Sequence, residues 1–514
     1  MIFNLELMFH IPTIHTLRIS LLVNLNMLGL LCLLNLSCNT SETLFEKLSP
    51  VDSGIHFVNK IDESVSSKSF INEFGYMGGG VGIGDFNNDG LEDIVFSANQ
   101  SSCRIYINKG NLKFEDITES AGLTTDDWAT GVSIADVNDD GLDDIYICTY
   151  GKNLVTRSPN LLFINLGNLQ FKELAASYGL ADTGYSSQAA FLDYDRDGDL
   201  DMYLANYSFN STNTSANNIV SIDTSGKSIA NDRLYRNDGD VSQKGHPVFT
   251  DVSLEAGIKE DGYGLGVSVS DINNDGWPDI YVANDFISND RLWLNQKNGH
   301  FKNVIARSLN HQSYSSMGVD AADLNNDGWQ DIVTLDMLPE GNERRKTSLF
   351  FMNYDRYRAE RLIGYQPEFM RNMLQLNNGL RNTDSLLPYF SEIGQMAGMA
   401  ATDWSWSVLL ADYNLDGWID MHITNGIGRD FINADFLEFS SQISLSGLSK
   451  AEQHDAIRKK LSSLKHVPLP NYFFLNNQQL EFTDASGSAG ISEPSLSNGA
   501  AYADLDNDGD LDIV

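Results

Sequence analysis

The chain has 514 residues, 42% hydrophobic and 10% aromatic, enough to bury a large core and too apolar for a disordered polyelectrolyte. Its 34 Lys and Arg face 70 Asp and Glu, a formal charge of -36 that excludes nucleic acid as a partner and favours cations or basic and neutral ligands.

The first element reads as an address rather than part of a fold. Arg18 precedes an apolar run, LLVNLNMLGLLCLLNLSC, which ends at Cys38 and gives way to polar NTSET. Residues 1–38 therefore form an export signal and residues 39–49 a short tether. The end of the run, LLNLSCN, resembles a bacterial lipoprotein cleavage box in which Cys38 becomes the lipidated first residue; an ordinary cleaved signal or a single anchor helix are the alternatives. Each of these exports the protein. Lipidation would anchor it in the outer membrane or at the cell surface, and the alternatives leave it periplasmic or secreted. No later stretch keeps the ~18 apolar residues of a membrane span. Cys32 belongs to the signal, while Cys103 and Cys148 lie in strand-like runs, CRIYIN and DDIYICTY, and read as buried small hydrophobes.

From residue 50 onward one unit repeats. A small-residue strand (GGGVGIGD, TGVSIAD, GLGVSVSD, MGVDAAD) enters an acidic loop, and a β-rich second strand leaves it (DIVFSAN, DIYICTY, DMYLANY, DIYVAND, DIVTLDM). A third strand ends in an Asn-containing turn (RIYINKG, LLFINLG, RLYRNDG, RLWLNQKNG), and a fourth reads FEDITESAGL, FKELAASYGL, FTDVSLEAGI or FTDASGSAGI. Four antiparallel strands with the acidic loop joining the first two describe a propeller blade. The expectation is an all-β, seven-bladed β-propeller over residues 50–514, with the last blade incomplete. Loop starts are 51, 57, 78, 52, 89 and 92 residues apart, so the longer units carry insertions.

The seven loops share the frame D-x-[DN]-x-D-G-x-x-D. In chain order the candidate ligands are Asp85, Asn87, Asp89, Leu91 and Asp93; Asp136, Asn138, Asp140, Leu142 and Asp144; Asp193, Asp195, Asp197, Asp199 and Asp201; Asp271, Asn273, Asp275, Trp277 and Asp279; Asp323, Asn325, Asp327, Trp329 and Asp331; Asp412, Asn414, Asp416, Trp418 and Asp420; and Asp504, Asp506, Asp508, Asp510 and Asp512. Side-chain oxygens at positions 1, 3, 5 and 9 of a tight loop converge on one point, and position 7 would add its backbone carbonyl, which leaves its side chain free to vary. Hard oxygen donors in this number suit Ca²⁺ better than Mg²⁺, giving up to seven Ca²⁺. Glycine at position 6 supplies the positive φ that wraps the loop. These side chains account for 23 of the 70 acids, and seven bound ions would bring -36 to -22. An EF-hand is excluded, because position 12 carries Phe96, Ile147, Leu204, Val282, Thr334 or Ile423 instead of a bidentate Glu.

Three insertions interrupt the pattern. Residues 207–230 are rich in Ser, Thr and Asn and read as an exposed loop; residues 339–375 gather basic and aromatic residues in a helix-compatible run; residues 430–468 contain a helix, SKAEQHDAIRKKLSSL.

These phrases, with YMGGGVGIGDFNNDGLEDIVF, YSSQAAFLDYDRDGDLDMYL, TNGIGRDF and SNGAAYADLDNDGDLDIV, resemble the FG-GAP or VCBS repeat proteins, and within them the ASPIC/UnbV, cartilage acidic protein-like group of bacterial exported lipoproteins. The resemblance covers residues 50–514 and implies the calcium loops of an integrin-α-like propeller. It also implies a chain that continues past LDIV into an ASPIC/UnbV segment, and it lets PVDSGIHFV, which looks like a fourth-strand motif, pair into the seventh blade.

Outside the loops there is no HExxH, GxSxG, phosphate-binding glycine loop or Cys/His cluster, and His246, His300, His311 and His422 are scattered singletons. The expected function is a binding or adhesion module for an extracellular protein, glycan or matrix ligand, with a polysaccharide-directed propeller enzyme or a platform for a further C-terminal region as alternatives. DWSWS at Asp403–Ser407 is the aromatic cluster most worth inspecting, against a reading as inter-blade packing.

Overall fold

Second strands such as DIYICT and DIYVAN are buried at every position, as a strand must be when sheets pack against both of its faces. In the computed structural model these strands are the hearts of six four-stranded antiparallel sheets. The described residues are 43–62, 73–151, 156–207, 221–285, 288–348, 354–381, 386–430 and 432–514. The expected signal, Cys38 and residues 39–42 of the tether lie outside them, as does the centre of the first insertion. The chain divides at Leu44–Phe45, and all that follows concerns residues 45–514.

The first sheet runs Val81–Gly84, Asp93–Phe96, Arg104–Asn108 and Phe114–Asp116, each strand beside the next. Sheets two to six repeat it from first strands Ala129–Ala135, Ser186–Leu192, Gly264–Ser270, Val319–Ala322 and Ser405–Ala411. A seventh sector holds a two-stranded ladder, Tyr502–Ala503 with Asp512–Ile513.

The fourth-strand motif differs in form from the expected strand. In FEDITESAG only Phe114–Asp116 is strand; Thr118–Ala121 is a single helical turn stopped by Gly122 at φ 79°. The left-handed conformation that ends the turn is one glycine adopts without steric cost. PVDSG behaves the same way: Pro50–Ser53 is a helical turn stopped by Gly54 at φ 81°, not a strand.

Cores lie between blades. Phe86, Val95, Ile105 and Ile107 of the first unit pack on Ile145, Ile147, Phe163 and Phe171 of the second, and comparable clusters fill the next four interfaces. Two more flank the seventh sector: Leu511 and Ile513 pack with Tyr413 and Phe473, while Leu505 and Val514 pack with Ile94, Tyr106 and Phe114. The N-terminal residues join both, Phe45 in the first cluster and Ile55 and Phe57 in the second. Inner strands are small because neighbours nearly touch: a Cβ on Gly318 would lie 2.2 Å from the Trp406 carbonyl oxygen.

The second insertion is helical over Asn342–Ser348 and Tyr354–Ile363, but its end returns to the sheet. Met373–Leu380 is the third strand of the fifth blade, so residues 373–375 belong to the blade. The third insertion folds as two helices, Ala434–Ser444 and Lys450–Leu461. The second of these is the expected one, opened by a capping box between Ser449 and Glu452. Phe436, Ile457 and Leu461 from the helices pack with Met317, Trp404 and Trp406 at the inner strands of blades five and six.

Candidate metal centres on the acidic loops

All seven loops fold alike. At position 1 the carboxylate accepts two backbone N–H groups, from positions 5 and 6; in the first loop Asp89 and Gly90 donate to Asp85 at 3.0 and 2.8 Å. The same pair recurs at Asp136, Asp193, Asp271, Asp323, Asp412 and Asp504. The position-7 N–H donates to the position-5 carboxylate throughout, from Leu91, Leu142, Asp199, Trp277, Trp329, Trp418 and Asp510. These bonds hold the loop shut around its acids.

Position 9 joins the loop to the blade. Asp93 is fully buried and accepts from Phe86 N–H and from Asn108 N–H at the end of the third strand, at 3.1 and 2.7 Å. Asp144, Asp201, Asp279 and Asp331 make the same two bonds. Asp420 accepts from Asn476 N–H and Asp512 from Leu505 N–H. Burial, reinforced by the other loop acids, pushes these carboxyls up, to about 7 at Asp93, Asp144 and Asp331, about 8 at Asp201 and Asp279, and about 6 at Asp420 and Asp512.

Position 3 divides the loops. Asn87, Asn138, Asn273, Asn325 and Asn414 turn their amide N–H toward the position-5 carboxylate, so repulsion is relieved internally. Where Asp replaces Asn there is no such relief. Carboxylate oxygens of Asp193, Asp195 and Asp197 lie within 4.8 Å of one another, as do those of Asp504, Asp506 and Asp512. Asp195 and Asp199 each keep a buried oxygen without a hydrogen-bond partner, and burial plus neighbouring acids raises Asp199 to about 6. Converging, under-bonded oxygens are what a divalent cation would satisfy, so the donor set fits one, and best at the third and seventh loops.

Two features escaped the sequence frame. Position 4 is left-handed as well as position 6: Asn88, Asp139, Arg196, Asn274, Asn326, Leu415 and Asn507 have φ between 53° and 61°. From there its side chain reaches the next loop. Asn88 donates to the Gly141 carbonyl, Arg196 to Gly276, Asn274 to Gly328, Asn326 to Gly417, and Asn507 back to Gly90, at 2.7–3.0 Å. Asp139 and Leu415 have no N–H to give. The loops thus form a ring linked sideways, open between the second and third and between the sixth and seventh. The recurrent Asn at these positions was the available signal.

The second feature is an Asn at or near the end of the third strand, which bridges blades everywhere but in the third, where Asn237 donates to Leu200 of its own blade. Asn165 donates to the Phe86 carbonyl of the blade before it, Asn295 to Tyr194, Asn377 to Ile272, Asn476 to Leu324 and Asn108 to Leu505. Its amide is buried and bridges blades, which explains the recurrent IN and LN at strand ends.

Inner strands of all seven sectors surround a central cavity of about 450 Å³, with Gly80, Gly131, Gly266, Gly318 and Gly499 among its walls beside larger residues such as Tyr150, Gln188 and Trp406. Its one carboxylate, Asp320, accepts from the Leu410 and Ala321 N–H groups. From DWSWS, Trp406 lines this cavity and donates its indole N–H to the Gly426 carbonyl, while Trp404 is buried. Cys103 and Cys148 are free and buried. Of the histidines, His422 is buried and pushed down to about 4, and His246 stacks on Tyr178. His311 sits against Glu392 at 3.2 Å, where Arg371 also binds.

With sheets and loops in view, the fold is a β-propeller with six four-stranded blades, and the model of the FG-GAP-like repeat matches residues 85–147 and 271–334. The chain's relatives include cartilage acidic protein 1 of Xenopus tropicalis, 26% identical over 45% of this chain, and that of Mus musculus, 26% identical over 40%. The chain spans 34% and 28% of those two proteins. Among solved structures it is similar to a lectin of Agrocybe aegerita described as recognising non-reducing terminal N-acetylglucosamine (14% identity, 81% of this chain, 83% of that one, TM-score 0.39). It is also similar to the V. cholerae biofilm matrix protein Bap1 (16% identity, 51% of this chain, 35% of that one, TM-score 0.26).

Proposed function

We propose that this chain is an exported, calcium-stabilised, seven-bladed propeller that serves as a binding module for a protein, glycan or matrix ligand outside the cell, anchored through a lipid on Cys38. The observation that carries this reading is the run of seven like loops, in which Asn507 of the last reaches Gly90 of the first. Seven oxygen-rich loops are the expected Ca²⁺ sites, and seven sectors around one cavity are the expected blades, with the N-terminal turn Pro50–Ser53 standing where a fourth-strand motif would end the seventh.

A binding role is favoured over an enzymatic one by the central cavity. Catalysis needs convergent acids, bases or nucleophiles with free valences; among the described residues the one carboxylate lining this cavity is taken up by two backbone N–H groups. The insertions on blades five and six offer surface beyond the scaffold.

The test is retention of the calcium-loaded protein on glycan and matrix-protein arrays, with melting followed as EGTA is added. Binding that disappears with the chelator, together with a melting point lowered by several degrees, is expected. A melting curve indifferent to EGTA would remove calcium, and silence across the arrays would favour a platform role.

A further inference from the structure

In a protein of charge -36, unpaired cations gathered at cavities call for an anion. Two adjoining cavities, of about 330 and 200 Å³, are lined by blades three and four and by blades four and five. Lys297, on the turn between the third and fourth strands of blade four, lines both. The first also takes Arg236, His300 and the half-buried indole of Trp277, and the second takes Lys302 and Arg307. Arg236 is paired with Asp238 at 2.7 Å and Lys297 with Asp275 at 3.3 Å. Among the described residues His300, Lys302 and Arg307 have no ion-pair partner, although all three are exposed beside recessed surface.

We propose that these joined cavities bind an anionic saccharide chain, its carboxylate or sulfate groups meeting Lys297, Lys302 and Arg307 while Trp277 supplies apolar surface to a sugar ring. Recessed cations beside an indole suit a narrow chain of polar rings with charges at intervals, where the broad face of a folded acidic protein would not reach. Asp195, Glu255 and Asp275 also line the cavities, Asp275 in its ion pair with Lys297. Asp195 and Asp275 belong to candidate cation loops, so an ion bound there would withdraw their charge and free Lys297. This deepens the binding-module reading and rests on it.

The experiment measures binding of the full chain, in calcium, to a galacturonate hexamer, a heparin-derived hexasaccharide and neutral xylohexaose, by calorimetry at low and high salt. At least one anionic probe should bind, xylohexaose should not, and the preference between the two anions tells carboxylate from sulfate. Lys302→Glu with Arg307→Glu, both exposed, should weaken binding about tenfold or more while the melting point, measured alongside, stays within a degree or so of the parent. Lys450→Glu with Lys459→Glu, on the insertion helix, should leave it within about twofold. The proposal falls if neither anion binds or if the helix pair weakens binding as much as the cavity pair. Array ligands that still bind the cavity variant would overturn this site while leaving the binding module standing.

Discussion

At the scale of single residues, the position-9 aspartates decide how the protein answers to pH. Asp279, fully buried and raised to about 8, holds a proton in the folded, metal-free chain at a pH where the unfolded chain has lost it. Between ~4 and ~8 the folded state therefore binds more protons, and stability falls as pH rises. The other six position-9 acids are shifted the same way, so their effects add in the same direction. In EGTA, melting points should drop from pH 5.5 to pH 8; in calcium, where protons compete with the ion, the trend should flatten or reverse. A pH-independent melt in EGTA would refute this account. The acids at positions 1, 3, 5 and 9 were legible because side-chain chemistry and spacing coincide there. Position 4 was not, because its role depends on a left-handed backbone and a neighbour 53 residues away, as at Asn88 and Gly141.

At the scale of elements, the loops act through their sideways bonds. Leu415 sits at φ 58° with most of its side chain in water, a conformation that costs a branched residue roughly 1 kcal/mol and that Asn tolerates. Leu415→Asn should relieve that cost and supply the missing donor toward Gly509, stabilising the fold by ~1–2 kcal/mol in urea unfolding. Asn274→Gly keeps the backbone and removes the donor to Gly328, so it should cost ~0.5–1.5 kcal/mol. Equal midpoints for both variants and the parent would show that the links carry no energy. Blades were readable from alternating strand vocabularies repeated in register, and the helix at Lys450–Leu461 from its capping box. The helix Ala434–Ser444 was not, nor was the turn inside fourth-strand motifs such as FEDITESAG, where a single turn of helix leaves no periodicity to detect.

At the scale of the whole molecule, residues 45–57 occupy the place that a fourth-strand motif fills elsewhere. Phe45 N–H donates to the Ala489 carbonyl as Phe482 N–H does to Ala397, at 2.9 and 2.8 Å. Gly54 abuts the Phe114 carbonyl as Gly179 abuts that of Phe249, with 2.3 and 2.4 Å left for a Cβ. Gly54→Val and Gly179→Val should then lower the melting point by similar amounts, each losing ~2 kcal/mol or more. A silent Gly54→Val beside a damaging Gly179→Val would show that the N-terminal segment is only draped on the ring. The partners of this closure are remote in sequence: Asn108 and Leu505 are 397 positions apart, and Asn507 and Gly90 are 417 apart. Every other blade boundary joins segments much nearer in sequence, whereas this one closes a loop of about 400 residues. The seam between the seventh sector and the first blade should therefore be the last to form in folding.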